Sequence, residues 1–289
     1  MKNSTTKWFT ILNTFILLGV VFITLYPVIY VASLSLSDPN AIMQMRVKML
    51  PVDLTVEGYK LILEDTQFWI GYKNTIIYTI TGTLTAMVFT ILCAYPLSKK
   101  WLKGQKTILK LFVFTMFFNG GLIPNFLFIK SLGLINSIWA IIIPLAVNPF
   151  NMIIMMTFFK SLPETLEQAA EIDGLNPVQI LTRIVLPLSK AILATIGLFY
   201  AVYYWNEWFR PMIFLNDSGK QPVTLFLRNL VMGHQLAAQS GVLDESAGQM
   251  VAENLKSASI VVVSLPILMI YPFIQRYFVK GIMLGSVKG

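Results

Sequence analysis

Long stretches without charge constrain this sequence more than any other feature. The run from Trp8 to Ser37 holds no Asp, Glu, Lys or Arg, whereas about 20 apolar helical residues are enough to cross the hydrocarbon core of a bilayer. Hydrophobic residues make up 56% of the 289 positions and charged residues 12%, about half the charged share of a typical soluble domain. A fold surrounded by water could not cover so much apolar surface. We therefore predict an all-α integral membrane protein.

Six apolar intervals of sufficient length predict six transmembrane helices within one domain covering residues 1–289. The predicted spans are residues 10–34, 72–97, 107–129, 135–159, 189–211 and 257–277. The first interval is longer than the apolar part of a cleaved signal peptide. We interpret it as a retained helix.

Lys and Arg residues cluster in alternate connections between these intervals. They are Lys2 and Lys7 before the first span, Lys99, Lys100, Lys103 and Lys106 after the second, and Arg276, Lys280 and Lys288 after the sixth. Six spans put all three groups on one side, which the positive-inside rule makes cytoplasmic. We expect a multi-pass protein of the bacterial cell membrane with both termini in the cytoplasm. The net charge of +8 is thereby explained without a nucleic-acid partner.

Motifs for chemistry within the chain are missing from the sequence. There is no phosphate-binding Gly-x4-Gly-Lys-Ser/Thr run and no His-Glu-x-x-His; His234 and Cys93 are the only residues of their types. Ion-coupled carriers usually place ionisable residues deep in their spans, and the first four spans have almost none. Glu207 and Arg210, three residues apart, are the exception and could pair as structural anchors or serve function. We expect no enzyme, cofactor or metal site here, and a transporter of this kind must be driven by another chain.

The fourth-to-fifth connection, residues 160–188, predicts two short helices. Pro163 suits a first helical turn with Ser161 as its N-cap, and Gly174 is a favourable stop. The dipeptide Asn176-Pro177 would open the second helix. The first half of this segment is acidic, which argues against a helix lying on lipid headgroups, since such helices carry a basic polar face.

The spacing of this segment resembles the EAA loop of ABC importer permeases, which reads Glu-Ala-Ala, three residues, Gly, nine residues and Ile-x-Leu-Pro. Ala169-Ala170, Gly174 and Ile184-Val185-Leu186-Pro187 stand in that register. The sequence departs from the family pattern at Gln168, which replaces the Glu and is preceded by Glu167. A salt bridge from that position to an ATPase is therefore not expected.

Other segments resemble the carbohydrate-uptake branch, similar to the maltose permeases, and among them the Gram-positive oligosaccharide and polysaccharide permeases. They are Asn119-Gly120-Gly121-Leu122-Ile123-Pro124, Leu132-Gly133-Leu134, Trp205-Asn206-Glu207-Trp208 and the tail 279–289. The resemblance implies the ABC importer permease fold with a cytoplasmic coupling loop. It also implies a second homologous permease, two ATPase subunits that carry ATP and Mg, and an extracellular substrate-binding lipoprotein.

Two sets of site residues follow. The resemblance implies that the loop docks on the ATPase through Glu167, Gln168, Ala169, Ala170, Asp173 and Gly174. Sugars stack on aromatic rings and bond to amides, so the substrate-pathway candidates are Tyr204, Trp205, Asn206, Trp208, Asn148 and Asn151. The alternatives for the second set are an interfacial aromatic belt and hydrogen bonds between helices.

The function expected from these features is the ATP-driven import of oligosaccharides into the cytoplasm. Two alternatives stay open: the same architecture serving a different solute such as a polyamine or phosphate, and a secondary carrier that works alone. The second would leave the EAA-like loop unexplained. The identity, length and linkage of the saccharide are not encoded in any motif we find.

Overall fold

The computed structural model describes residues 4–118, 120–240 and 253–270, and these are helical nearly throughout. The helices are α1 (Ser4–Ser35), α2 (Pro39–Met43), α3 (Glu57–Glu64), α4 (Thr66–Ser98), α5 (Gln105–Phe117), α6 (Leu122–Ser131), α7 (Trp139–Ile142), α8 (Pro149–Ser161), α9 (Glu164–Ile172), α10 (Pro177–Ile180), α11 (Leu186–Leu188), α12 (Lys190–Asn206), α13 (Phe209–Phe214), α14 (Val223–Ser240) and α15 (Glu253–Ile270). A π-helical turn, Leu181–Val185, joins α10 to α11. Ser37 and Leu54 pair in an antiparallel β-bridge that belongs to no strand within the described residues.

Among the residues that the structure describes, three helices are long and apolar enough to cross a membrane alone: α1 from Trp8, α4 and α15. Three further apolar pairs are bent by more than 40°: α5 with α6, α7 and its 3-10 turn with α8, and α10–α11 with α12. The count reaches six if each bent pair is one span. The predicted interval 107–129 thus contains two helices, and the interval 189–211 contains α12 and most of α13. The end of the predicted sixth span, the tail 279–289 and Asn119 lie outside the described residues.

The chain divides into two compact units, the first comprising Met1–Trp69 and Phe226–Pro266 and the second Ile70–Leu225 and Ile267–Gly289. In the first unit, Asn254 is buried and donates from Nδ2 to the carbonyls of Leu34 (3.1 Å) and Ser37 (2.8 Å). The last carbonyls of a helix have no partner within it, so Asn254 satisfies the end of α1. A Cβ atom at Gly58 would lie 2.0 Å from the Oδ1 atom of Asn254, which explains the glycine.

The core of the second unit is built from one buried cluster. Its members include residues of α4, α8, α9, α10 and α12, among them Ala94, Tyr95, Met155, Phe159, Ala170, Ile180 and Ile196. Tyr95 and Phe159 meet edge to face, with ring centroids 6.3 Å apart. The short helices α9 and α10 are therefore held against the C-terminal end of α4.

Polar side chains of α4 also fasten the segment between α13 and α14. The Asn74 amide donates to the Gly219 carbonyl at 2.8 Å, and the Tyr78 hydroxyl donates to that of Lys220 at 2.6 Å. The Val223 N–H donates to Thr75 Oγ1 at 2.9 Å. The Thr75 bond satisfies the first N–H of α14 in place of an intrahelical partner, and the other two hold the turn that precedes the helix.

Candidate functional site

Helix α9 is bounded by backbone geometry. It begins after Pro163, whose ψ of 120° is extended. The prediction of Ser161 as N-cap is wrong, because Ser161 is the last residue of α8 and Pro163 occupies the N-cap position of α9; the Ser161 hydroxyl donates to the Phe158 carbonyl of its own helix. At the other end Gly174 has φ +82°, and the N–H groups of Gly174 and Leu175 donate to Glu171 and Ala170, both at 3.0 Å. This is a Schellman motif, and Gly174 is confirmed as the helix stop.

Helix α10 opens at Asn176-Pro177, as predicted. The Gln179 N–H donates to Asn176 Oδ1 and the Asn176 N–H donates to Gln179 Oε1, both at 2.9 Å. This reciprocal capping box satisfies two donors that the helix leaves free. The two short helices are thus separately terminated, with the bend between them fixed locally.

The six predicted docking residues point in two directions. Gln168, Ala169, Asp173 and Gly174 are exposed. Ala170 is buried in the core of the same chain, and the Glu167 side chain is only 15% exposed. Only the first four lie on a surface that another chain could contact.

Glu167 is engaged within the chain. Its Oε1 atom accepts from Lys99 Nζ, and the Lys99 side chain is 13% exposed. The same ammonium lies 4.8 Å from the ring centroid of Tyr95. Lys99 directly follows α4 and Glu167 lies in the first turn of α9, so each charge sits at the helix end whose dipole favours it.

A second ion pair joins the same two segments at the surface. Lys100 Nζ lies 2.7 Å from Glu164 Oε1, with side chains 88% and 66% exposed. The hydrogen bond from Lys100 lowers the pKa of the Glu164 carboxyl below its ordinary value. Exposed pairs of this kind contribute little to stability.

Large apolar side chains stand out from α9 and α10, and sequence reasoning missed them. Ile172 is 87% exposed and Val178 69% exposed. They lie beside the exposed Asp173 and Gly174 on the bend between the helices. An apolar residue at the end of an acidic nine-residue helix was the available signal. Exposed apolar surface rimmed by polar residues is typical of a protein-binding site.

Tyr204 and Trp205 are buried within the chain. The Tyr204 hydroxyl donates to the Ile142 carbonyl at 3.3 Å. Its ring packs on Gly82, where a Cβ atom would lie 2.8 Å from three ring carbons. Trp205 meets Tyr72 edge to face, with ring centroids 5.8 Å apart.

Asn206 and Trp208 are more accessible. Asn206 is exposed, and its Nδ2 atom donates to the Val202 carbonyl at 2.8 Å. Trp208 is exposed and contacts Phe209 edge to face, with ring centroids 5.6 Å apart. Of the four fifth-span candidates, these two present polar and aromatic surface that a solute could contact.

Asn148 and Asn151 belong to the break between α7 and α8. Asn148 is the N-cap of α8 and accepts from the Asn151 N–H at 3.1 Å. The Asn148 N–H donates to the Tyr200 hydroxyl at 3.0 Å, which lies 2.7 Å from Thr90 Oγ1. Irregular backbone at membrane depth requires such internal partners. Tyr200 and Thr90 were not among the predicted residues; in sequence they carry no motif.

Glu207 and Arg210 form the pair that their spacing allowed, with Arg210 Nη1 2.9 Å from Glu207 Oε2. The same oxygen accepts from Tyr203 at 2.6 Å, and Glu207 Oε1 accepts the N–H of Arg210 at 3.1 Å. A carboxylate with this many donors is an anchor for the α12–α13 turn. Within the described residues, no three His, Cys, Asp or Glu side chains are grouped so as to hold a metal ion.

Comparisons with known proteins agree over nearly the whole chain. A family model described as "Binding-protein-dependent transport system inner membrane component" matches residues 5–284. Protein LplC of Bacillus subtilis (strain 168) is 40% identical over 281 residues, which cover 97% of this chain and 95% of that protein. The polygalacturonan/rhamnogalacturonan transport system permease protein YtcP of the same organism is 40% identical over 290 residues and the full length of both.

A solved structure shares the fold. One chain of a bacterial ABC transporter involved in the import of the acidic polysaccharide alginate superimposes with a TM-score of 0.85. It is 36% identical in sequence, and the match covers 96% of this chain and 99% of that chain.

Proposed function

The chain belongs to the binding-protein-dependent transport system inner membrane component family, and on that premise we propose that it imports oligosaccharides into the bacterial cytoplasm. It is a permease subunit of an ABC transport system. The observation that carries the proposal is the exposed apolar and acidic face at the α9–α10 bend, which suits docking of a separate ATPase. The saccharide class rests on the likeness to a polygalacturonan/rhamnogalacturonan permease and to a chain of an alginate importer.

The proposed assembly contains this chain, a second homologous permease, two ATPase subunits that bind ATP and Mg, and an extracellular substrate-binding lipoprotein. Both termini and the segment 160–188 lie in the cytoplasm. Gln168, Ala169, Asp173 and Gly174 contact the ATPase together with Ile172, because these side chains point away from the chain's own core. ATP binding closes the ATPase pair, and the α9–α10 segment carries that motion to the spans.

Saccharide contact is assigned to the accessible pair Asn206 and Trp208. An amide can exchange hydrogen bonds with sugar hydroxyls, and an indole offers an apolar face to a pyranose ring. Tyr204 and Trp205 shape the wall behind them. The Asn148 break and its bond to Tyr200 hold two helices of the second unit in register.

The test is affinity purification of the full chain from native membranes, followed by mass spectrometry of its partners and an ATPase assay. The expected result is recovery of a second permease and an ATPase whose activity rises with a sugar-loaded binding protein. Recovery of this chain alone, with ion-driven uptake in liposomes, would establish a secondary carrier instead. A panel of oligogalacturonides, neutral oligosaccharides, polyamines and phosphate separates the saccharide proposal from the same architecture serving another solute.

Ile172→Asp tests the docking surface. An exposed apolar side chain that anchors a partner loses its contact when it becomes charged, so co-purification of the ATPase should fall while the variant stays in the membrane at wild-type level. The matched control is Thr165→Asp, which introduces the same charge at an exposed position of the same helix, α9. Equal ATPase recovery from both variants would place the docking surface elsewhere.

A further inference from the structure

We propose that Lys99 and Glu167 form an internal latch that makes the coupling helix α9 and the C-terminal end of α4 move as one body. The inference rests on the proposed function, since it concerns how motion imposed on α9 reaches a membrane span. In it Glu167 is a positioning residue of this chain and makes no contact with the ATPase.

Burial distinguishes this pair from an ordinary surface ion pair. The side chains of Lys99 and Glu167 are 13% and 15% exposed, against 88% and 66% for the neighbouring Lys100 and Glu164. Charges held away from water are screened less by salt and interact more strongly than exposed ones. The Lys99 ammonium also lies over the Tyr95 ring, which adds a cation–π contact on α4 itself.

Packing around the latch joins the same two helices. Tyr95 and Leu97 of α4 and Ala170 of α9 belong to one buried cluster. The small Ala170 side chain lets α9 approach the core closely, so Glu167, one turn earlier, reaches Lys99. The latch therefore adds a directional, charged link to a non-directional apolar contact.

The far part of α4 connects the latch to the pathway candidates. Helix α4 has 33 residues, or about 50 Å at 1.5 Å per residue. At Gly82 it packs directly on the Tyr204 ring. A displacement of α9 that is passed to α4 thus arrives beside the wall of the proposed pathway without crossing the α9–α10 bend.

The latch also accounts for Gln168. In the family pattern a Glu stands at that position, whereas here the neighbouring carboxylate is directed inward to Lys99. The acidic charge is retained on the helix but used within the chain. The ATPase would then meet a neutral amide at Gln168 beside the apolar Ile172.

The experiment uses the full transporter in nanodiscs and three readouts: ATPase recovery, ATP hydrolysis, and saccharide taken up per ATP in proteoliposomes. The latch variants are Glu167→Gln and Lys99→Met, which keep side-chain volume and remove one charge. The matched control is Glu164→Gln with Lys100→Met, which removes the exposed pair from the same two segments. The swap Lys99→Glu/Glu167→Lys restores opposite charges in reverse.

We expect the latch variants to recover the ATPase as wild type does and to lose about tenfold in saccharide uptake per ATP. A tenfold ratio corresponds to about 1.4 kcal/mol, which lies within the usual coupling energy of contacting residues. The control should match wild type, and the swap should recover part of the loss. Uptake per ATP within twofold of wild type in both latch variants, or a swap as defective as the single variants, would overturn the latch.

Hydrogen exchange in the membrane-embedded full chain keeps this test independent of the proposed function. Each single latch variant should speed exchange of the α9 amides from Leu166 to Ile172, and the exposed-pair control should not. If no ATPase co-purifies with the wild-type chain, the proposed function fails, but the difference in exchange between variants and control still tests whether the Lys99–Glu167 pair holds α9. Unchanged α9 exchange in both variants refutes the latch even where the importer assembles.

Discussion

Replacing Gly82 by Ala should force Tyr204 out of its position. The added Cβ atom would lie 2.8 Å from three ring carbons, whereas relaxed carbon contacts are about 3.5–4.0 Å, so the ring must retreat by about 1 Å. Overpacking of this size costs about 1–3 kcal/mol. The bond from the Tyr204 hydroxyl to the Ile142 carbonyl, 3.3 Å long, is lost with it, at about 1 kcal/mol.

The gain in helix propensity from Gly to Ala offsets up to about 1 kcal/mol. The net expectation is a destabilisation of about 2 kcal/mol, or about 30-fold in the ratio of folded to unfolded protein. Reversible unfolding in mixed micelles, followed by tryptophan fluorescence, measures it. The neighbouring Trp205 is itself buried and reports any displacement of the helix that carries Tyr204.

Two variants decide whether the contact is the cause. Gly197→Ala is the matched control on α12, since a Cβ atom there meets only Met87 Sδ, at 3.9 Å, and we expect no loss. In a Tyr204→Leu background, the Gly82→Ala penalty should nearly vanish. A penalty that persists unchanged in that background, or an equal penalty at Gly197, would refute the reasoning.

Three further predictions concern the helix ends. Gly174→Val should lower the stability of α9 by about 1–2 kcal/mol because a β-branched residue is strained at φ +82°, whereas Gly174→Asn should cost less. Hydrogen exchange of the α9 amides ranks the two variants, and equal exchange would contradict Gly174 as the stop of this helix. Asn254→Ala should destabilise the protein by about 1–3 kcal/mol, because it leaves buried carbonyls without donors. In the same unfolding assay the exposed control Asn229→Ala should cause no change, and an equal effect of the two variants would show that Asn254 does not cap α1. Lys100→Met should raise the pKa of Glu164 towards its ordinary value, because it removes the hydrogen bond that lowers this pKa. Since the folded-state pKa is lowered, the pair's contribution to stability is present above the unfolded-state pKa and is lost as pH falls through the folded-state pKa. A carboxyl titration by NMR that shows no shift would contradict the pairing.

Sequence reasoning reached the helical membrane class because that property is carried by composition and length. The charge-free run at the N-terminus coincides closely with α1, and the second apolar interval lies within α4. Each of these two intervals is one continuous helix, of 32 and 33 residues. The helix boundaries at Gly174 and at Asn176 were also predictable, since they depend on local φ angles and caps.

Features that depend on distant residues were not predictable. The break before α8 is flanked by Pro144 and Pro149, which a sequence shows. The partner of its Asn148 N–H is the Tyr200 hydroxyl, 52 residues away, which a sequence does not show. Likewise, the sequence places Glu167 and Gln168 in the same docking set, whereas the inward direction of Glu167 depends on Lys99, 68 residues earlier in the chain. A nine-residue helix has several possible inward faces, and tertiary contacts choose among them. The roles of the predicted docking and pathway residues stay predictions.

Helix α1 gives the chain an unusual pattern of tolerance to mutation. Between Trp8 and Ser35 its most apolar window has no buried residue within the chain, so shortening a side chain there leaves no cavity. A scan with alanine should therefore be nearly silent from Trp8 to Ile29, where every residue is exposed. A scan with aspartate should not, because a charge at the bilayer centre costs about 2.5–3.5 kcal/mol on insertion scales. In this part of the protein we expect substitutions to be limited by solubility in hydrocarbon and hardly at all by shape.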